Sequence, residues 1–241
     1  MARAALLNAS YALFHVPDLV RYGSKPVREL RRDPERLETL RAHLRPFEAA
    51  LRYAPHQVFI GNLTPDELAG IERPWHARPL PTGQAEGPFG RMYDQATFYR
   101  QLAEADSFHL VHLEGEGGEQ GLPLFEGKRA IGWVEAGHPE DESQTANLML
   151  ENLACKASAT EAVRLCLRDI DPGEVDYVLN TGEEAIGDRY QRGGGNLAKA
   201  VAEATGCVNA TGADIKAFCC APAHALVIGS ALIEAGVYRQ V

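Results

Sequence analysis

From residue 131 to the last residue the chain switches regularly between two hydrophobic rhythms, and that alternation constrains the fold more than any other feature. IGWVEA (131–136) has the short, β-favouring pattern of a strand, and an Ala- and Leu-rich stretch from about Ser143 to Leu167 has the length and spacing of a helix. VDYVLNT (175–181) reads as a strand, and NLAKAVAEATG (196–206) as a helix stopped by Gly206. CVNATGADIKAF (207–218) reads as a strand broken at a glycine, and APAHALVIGSALIEAG (221–236) as a helix stopped by Gly236. Strands alternating with helices bury their apolar faces by layering helices on a sheet, so the expected class is α/β.

The first half is less regular. AALLNASYALFHV (4–16), ending before Pro17, reads as a first strand. Apolar steps at Leu37, Leu40, Leu44, Phe47 and Leu51 predict an amphipathic helix over 33–51, bent near Pro46. HQVFIG (56–61) has the pattern of a strand, whereas residues 72–90 are rich in proline and glycine and read as a loop or linker. A helix is expected over 94–105, a strand over FHLVHLE (108–114), and a turn over GEGGEQG (115–121). His109 and His112 on that strand would point to opposite faces, which argues against a metal site there.

The composition narrows the class of function. Of 241 residues, 45% are hydrophobic and 24% charged, enough for a substantial core. The formal net charge of −9, with Lys and Arg scattered except at Arg28, Arg31, Arg32 and Arg36, argues against nucleic-acid binding. That cluster is read as a solvated helix face. No apolar run approaches the roughly 20 residues of a membrane span, and no secretory signal opens the chain, so a cytoplasmic location is expected. Five cysteines, an odd number without a C-x-x-C pair, suggest neither a disulfide framework nor a zinc site.

The adjacent pair Cys219 and Cys220 therefore needs an explanation. If a helix begins near Pro222, a residue suited to a first helical turn, Cys219 lies just ahead of its N-terminus. There the unpaired N–H groups and the helix dipole favour an anion, hence a thiolate nucleophile. The helix is apolar all round and rich in Ala, Gly and Ser, which predicts burial in the centre of a domain. Burial offers the competing explanation, because cysteine is among the most buried residue types and a pair can serve packing alone.

Residues 214–241, DIKAFCCAPAHALVIGSALIEAGVYRQV, resemble the active-site region of ketoacyl synthase III enzymes of the thiolase superfamily: an Asp, a strand ending in small residues and Cys, then a small-residue helix. ENLACKASATEAVRLCLRDIDPGEVDYVLNTG (151–182) is similar to the preceding helix, turn and strand of that family. Residues 5–24, 53–75 and 89–114 narrow the resemblance to the thiolase-like β subunit of component C of the glycine, sarcosine and betaine reductases. The resemblance implies a first-half thiolase-like fold. Its core would be built from residues 1–20 and 129–241, with a family-specific insertion over 21–128.

It further implies that Cys219 carries an acetyl group as a thioester. The donor would be an acyl group borne by a selenoprotein or by a coenzyme A or pantetheine-type thiol, with phosphate as acceptor. A phosphate acetyltransferase-like second subunit would then yield acetyl phosphate. Cys220, His224 and Asp214 are possible supporting residues, and Glu183 and Glu184, at the strand end where open α/β sheets bind ligands, are placed at the pocket mouth. No metal and no covalently bound cofactor is expected. In the family, the His and Asn that polarise the thioester carbonyl come from a second half, so this chain is expected to be a first half that associates with another half or subunit.

Other assignments stay open at this point. His224 fits a hydrogen-bonded core histidine better than a base. Asp214 suits a residue bonding backbone groups at a turn. RGGGN (192–196) precedes a helix but matches no phosphate-binding motif, so it reads as a turn. The rival functions are a condensing or acyl-transfer enzyme using acyl-coenzyme A, and a non-catalytic interaction subunit whose cysteines belong to the core.

Overall fold

The computed structural model describes residues 3–16, 18–19, 33–43, 86–87, 90–114, 121–182, 190–191 and 195–241. They form an α/β structure with two packed regions. The first is built around helix α3, Ala146–Cys166, and the second around a parallel strand pair that carries the cysteines.

Ahead of α3 lie strand β1 (Tyr11–Phe14), helix α1 (Pro34–His43), strands β2 (Glu86–Gly87) and β3 (Gly90–Tyr93), and helix α2 (Gln95–Ala105). β1 pairs in parallel with β3, Tyr11 opposite Gly90 and Phe14 opposite Tyr93. Gly90 is required there, since a Cβ would stand 2.1 Å from the Tyr11 carbonyl oxygen. The 4–16 segment is thus a strand only in its last third. Its earlier part is held to α3 by side chains, with Asn8 Nδ2 donating to the Cys166 carbonyl at 2.7 Å and Ser10 Oγ to that of Ala162 at 2.9 Å. α1 begins after Asp33, whose carboxylate accepts the Arg36 N–H. The remainder of the expected 33–51 helix, the strand at 56–61 and most of the 72–90 segment lie outside the described residues. The end of that segment is a correction: 86–87 and Gly90 are strand residues, not loop.

α2 is capped by Asp94, which accepts the Thr97 N–H, and it buries Phe98, Tyr99 and Leu102. These pack with Met149 and Leu153 of α3 and with the three-stranded antiparallel sheet of β4 (Val111–His112), β5 (Leu122–Glu126) and β6 (Arg129–Val134). The strand expected over 108–114 is cut to two residues. Buried Asp106 accepts the N–H groups of Phe108, Leu110 and Val111, which folds the chain into a turn with His109 at φ +57°. β7 (Gly137–His138) and β8 (Asp141–Thr145) form a second hairpin, so α3 starts at Ala146 and not at Ser143, with Thr145 as its cap.

The second region is a β-α-β unit. β9 (Tyr177–Gly182) leads through helix α4 (Leu197–Ala204) to β10 (Thr211–Lys216), which pairs in parallel with β9 from Thr211 opposite Tyr177 to Lys216 opposite Gly182. Gly212 does not break the strand, contrary to the sequence expectation. It admits α4 instead, because a Cβ there would lie 2.9 Å from Ala198 Cβ and 2.6 Å from the Val178 carbonyl oxygen. Helix α5 (Ala221–Glu234) meets the other face of the pair, where Gly229 packs against Leu179 and Val241. Adjacent strand residues point to opposite faces, so Val178 under α4 and Leu179 under α5 define a helix–sheet–helix sandwich. Gly206 (φ +80°) and Gly236 (φ +71°) end α4 and α5, as expected.

The chain end is tied back to the start of β9. The Gln240 carbonyl accepts the Asp176 and Tyr177 N–H groups, and the Asp176 carboxylate accepts those of Arg239 and Gln240. Among the described residues no helix is long and apolar enough to cross a membrane.

Candidate functional site

β10 ends at Lys216, and within five residues the chain has entered α5. Ala217 leaves the strand conformation (φ −152°, ψ 38°), and Phe218 takes φ +47°, in the left-handed region that disfavours a side chain bearing a Cβ. Phe218–Cys220 then form a single 3-10 turn, closed by the Cys220 N–H on the Ala217 carbonyl at 3.1 Å and by the Ala221 N–H on that of Phe218. Cys219 is the middle residue of this turn. The strain at Phe218 is local and costs on the order of 1–3 kcal/mol, a cost most often seen where geometry serves function.

Cys219 and Cys220 are both exposed. Neither is a core residue within this chain. α5 follows directly, with Pro222 in its first turn and no side chain capping its N-terminus. The Ala221 N–H is taken by the Phe218 carbonyl and Pro222 has none, so what α5 offers beside the cysteines is the partial positive charge of its dipole, which favours an anion there. Cys155, on α3, differs. It keeps part of its surface accessible, yet burial pushes its thiol up, opposed by the nearby Lys216 ammonium.

α5 itself corrects an expectation. It is not buried in this chain: only Ala221 and Gly229 are, while Leu226 is 67% and Val227 69% exposed. Phe218 in the cysteine turn, Ile228 on α5 and Val237 just after it are exposed as well. A helix apolar on all sides needs cover on all sides, and here the strand pair supplies cover on one side only. His224, on the same helix, is exposed and is not the hydrogen-bonded core histidine the sequence suggested.

Asp214 sits on β10 two residues before its end and bonds backbone groups. Its carboxylate accepts the N–H groups of Leu197 and Ala198 at 3.0 Å each, and the Asn180 amide donates to it at 3.1 Å. Asn196 caps the same helix by accepting the Lys199 N–H at 2.8 Å and donates to the Gly212 carbonyl at 2.9 Å. Asp214 thus fixes α4 onto the strand that leads to Cys219. Sequence reasoning missed Asn196 and Asn180. An Asn directly ahead of an Ala-rich helix is a capping signal that identifies the first; the second shows only once the strand register is known. Glu183 and Glu184 lie outside the described residues, as do residues 192–194 of the RGGGN segment; they follow Gly182, which pairs with Lys216 next to the cysteine turn.

An apolar groove of about 260 Å³ runs beside β9, lined by Leu6, Leu7, Cys166, Leu167, Tyr177 and Leu179 among others. Cys219 does not line it.

No family model matches the chain. Among solved structures, the priming β-ketosynthase of the R1128 polyketide pathway matches 44% of this chain and 28% of its own, at 24% identity and a TM-score of 0.31, too low to bear on the fold. Among curated proteins, the chain is 36% identical over 278 aligned positions to the "glycine/sarcosine/betaine reductase complex component C subunit beta" of Peptoclostridium acidaminophilum. The alignment takes in 98% of this chain and 54% of that protein, so the chain spans about half the length of the relative. The sequence is therefore similar, along nearly its whole length, to the component C β subunit of the glycine, sarcosine and betaine reductase complexes.

Proposed function

We propose that the chain takes part in acetyl transfer in a glycine, sarcosine or betaine reductase system, with Cys219 as the residue that carries the acetyl group. The observation that supports this most directly is the placement of Cys219: exposed, in a strained turn, between a parallel strand and the uncapped N-terminus of a 14-residue helix. The 36% identity to a component C β subunit supports the choice of pathway.

In this reading the Cys219 thiolate attacks the carbonyl carbon of an acetyl seleno- or thioester. The carbon–oxygen double bond opens, and the negative charge that develops on oxygen is met by the positive end of the α5 dipole. The intermediate collapses with loss of the selenolate or thiolate, leaving acetyl on Cys219. An oxygen of inorganic phosphate then attacks the new thioester, giving acetyl phosphate and returning the thiolate. The partner at this second step is a phosphate acetyltransferase-like subunit. Residues that polarise the carbonyl from the opposite side come from the polypeptide that covers α5, either another part of the same protein or another subunit. His224 lies on the uncovered face and belongs to that junction. Asp214 is a positioning residue, acting through α4 and β10.

A non-catalytic subunit whose cysteines pack in a core is the rival reading, and its signature is a Cys219→Ala variant that supports full turnover. The test is peptide-mapped mass spectrometry after exposure to acetyl phosphate with the phosphate acetyltransferase-like partner. An acetyl adduct on the native chain and on Cys220→Ala, absent from Cys219→Ala, is the expected result. No adduct on any form, including a version joined to the remaining length of its relatives, overturns it. Labelling by acyl-coenzyme A without a selenoprotein would favour a condensing enzyme.

A further inference from the structure

The adjacent sulfurs invite a second chemistry that acyl transfer does not use. We propose that Cys219 and Cys220 form a reversible vicinal disulfide under oxidation by a peroxide, protecting the Cys219 sulfur from irreversible loss; this rests on the reading of Cys219 as the nucleophile. The two residues are neighbours in one 3-10 turn and both are exposed, so an oxidant and a reductant reach them alike. Of the other cysteines, Cys155 and Cys166 lie on α3, Cys155 near the Lys216 ammonium, and Cys207 is buried at 2% exposure ahead of β10. The nearest second thiol in sequence to Cys219 is thus one peptide bond away.

The step balances with a peroxide as oxidant. The Cys219 thiolate attacks one peroxide oxygen, the O–O bond breaks, and the second oxygen leaves as hydroxide, which takes up a proton to become water. Cys219 is now a sulfenic acid. The Cys220 sulfur attacks the Cys219 sulfur, the S–O bond breaks, and the hydroxyl leaves with the Cys220 proton as a second water. Two thiols are oxidised to a disulfide and one hydrogen peroxide is reduced to two waters. An accessible thiolate without a resolving partner continues instead to sulfinic and sulfonic acids, which ordinary thiols do not reverse.

Geometry makes this bond a switch and not a staple. Consecutive Cα atoms across a trans peptide stand about 3.8 Å apart, whereas disulfides normally span roughly 4.4–6.8 Å between Cα atoms. A bridge between neighbours is therefore strained, and strained exposed disulfides have the higher, more oxidising potentials that make them easy to reduce. The turn already departs from regular backbone at Ala217 and Phe218, so closing the ring does not interrupt a strand or the body of α5.

The full chain is treated with hydrogen peroxide, alkylated, digested and mapped, and each sample is also assayed for acetyl labelling. The expected peptide spanning Cys219 and Cys220 is unalkylated and lighter by two hydrogens. Dithiothreitol restores both alkylation and the acetyl adduct. In Cys220→Ser the same treatment gives a dimedone-trapped sulfenic acid on Cys219 that advances to sulfinic acid, and labelling does not return on reduction. The proposal is overturned if native Cys219 reaches sulfinic acid as fast as in Cys220→Ser, or if it bridges to Cys155, Cys166 or Cys207 instead. The two readings separate in the same samples. A disulfide that forms in a chain never acetylated sinks the acyl-transfer reading alone, and acetylation with no reversible disulfide sinks the switch alone.

Discussion

Asp214 and Asn180 face each other across the parallel pair β10 and β9, joined at 3.1 Å, and the Asp214 carboxylate extends that link into two N–H groups at the start of α4. One carboxylate thus ties together both strands and the helix between them. Charged hydrogen-bonded groups of this kind contribute about 1.5–3 kcal/mol each when their partners are left unmet. Asp214→Ala is expected to lower unfolding stability by about 2–3 kcal/mol, with Asp214→Asn intermediate because it keeps one acceptor. Urea titration checks this, and a native midpoint for Asp214→Ala would show that α4 is held by other means.

At Gly212 the α4 helix packs directly against β10. A methyl group there would meet the Val178 carbonyl oxygen at 2.6 Å and Ala198 Cβ at 2.9 Å, neither of them the tip of a flexible side chain. Gly212→Ala is expected to cost about 1–3 kcal/mol through overpacking. Ala198→Gly should recover part of that loss in the double variant but not alone, which a four-way denaturation cycle measures.

The bonds from Arg239 and Gln240 hold the Asp176 carboxyl below the usual carboxylate range. The unfolded chain therefore binds a proton more readily than the folded one. The contribution is whole above the ordinary carboxylate value and is lost as the pH falls through the depressed folded value. Asp176→Asn should be less stable than native protein near neutral pH, with the gap closing in acid. Unfolding midpoints across pH 2–7 test the sign; a gap that widens in acid would refute it.

Leu226 and Val227 are exposed apolar residues on α5. Leu226→Glu should leave unfolding stability within about 0.5 kcal/mol, as for surface changes away from special features. Dye binding by exposed apolar surface and self-association, followed by ANS fluorescence and sedimentation, should both fall. A large loss of stability would mean that the face is already packed.

How far the sequence reveals the molecule depends on where long-range contacts decide. The β9, α4, β10 and α5 succession is legible because each element carries its own period and its own stop, Gly206 and Gly236 among them. The β5–β6 hairpin around Gly127 has no counterpart in the sequence expectations, which leave 122–130 unassigned, although a Gly at φ +60° in a two-residue turn is the usual hairpin signal. β8, Asp-Glu-Ser-Gln-Thr, carries no apolar alternation at all; its pairing with β7 makes it a strand. At the site, Cys219 could be singled out from local chemistry, while its exposure, the φ of Phe218 and the Asn180 link depend on how distant segments meet. The burial of α5 was misjudged for a related reason: composition shows that a helix must be covered, not which polypeptide covers it.

That uncovered helix has a consequence for the life of the protein in a cell. A copy whose α5 is bare displays what quality-control machinery recognises in a damaged protein, contiguous aliphatic side chains together with oxidisable sulfur. Surplus copies would be triaged by chaperones and proteases, and the abundance of this polypeptide would follow the supply of whatever shields the helix.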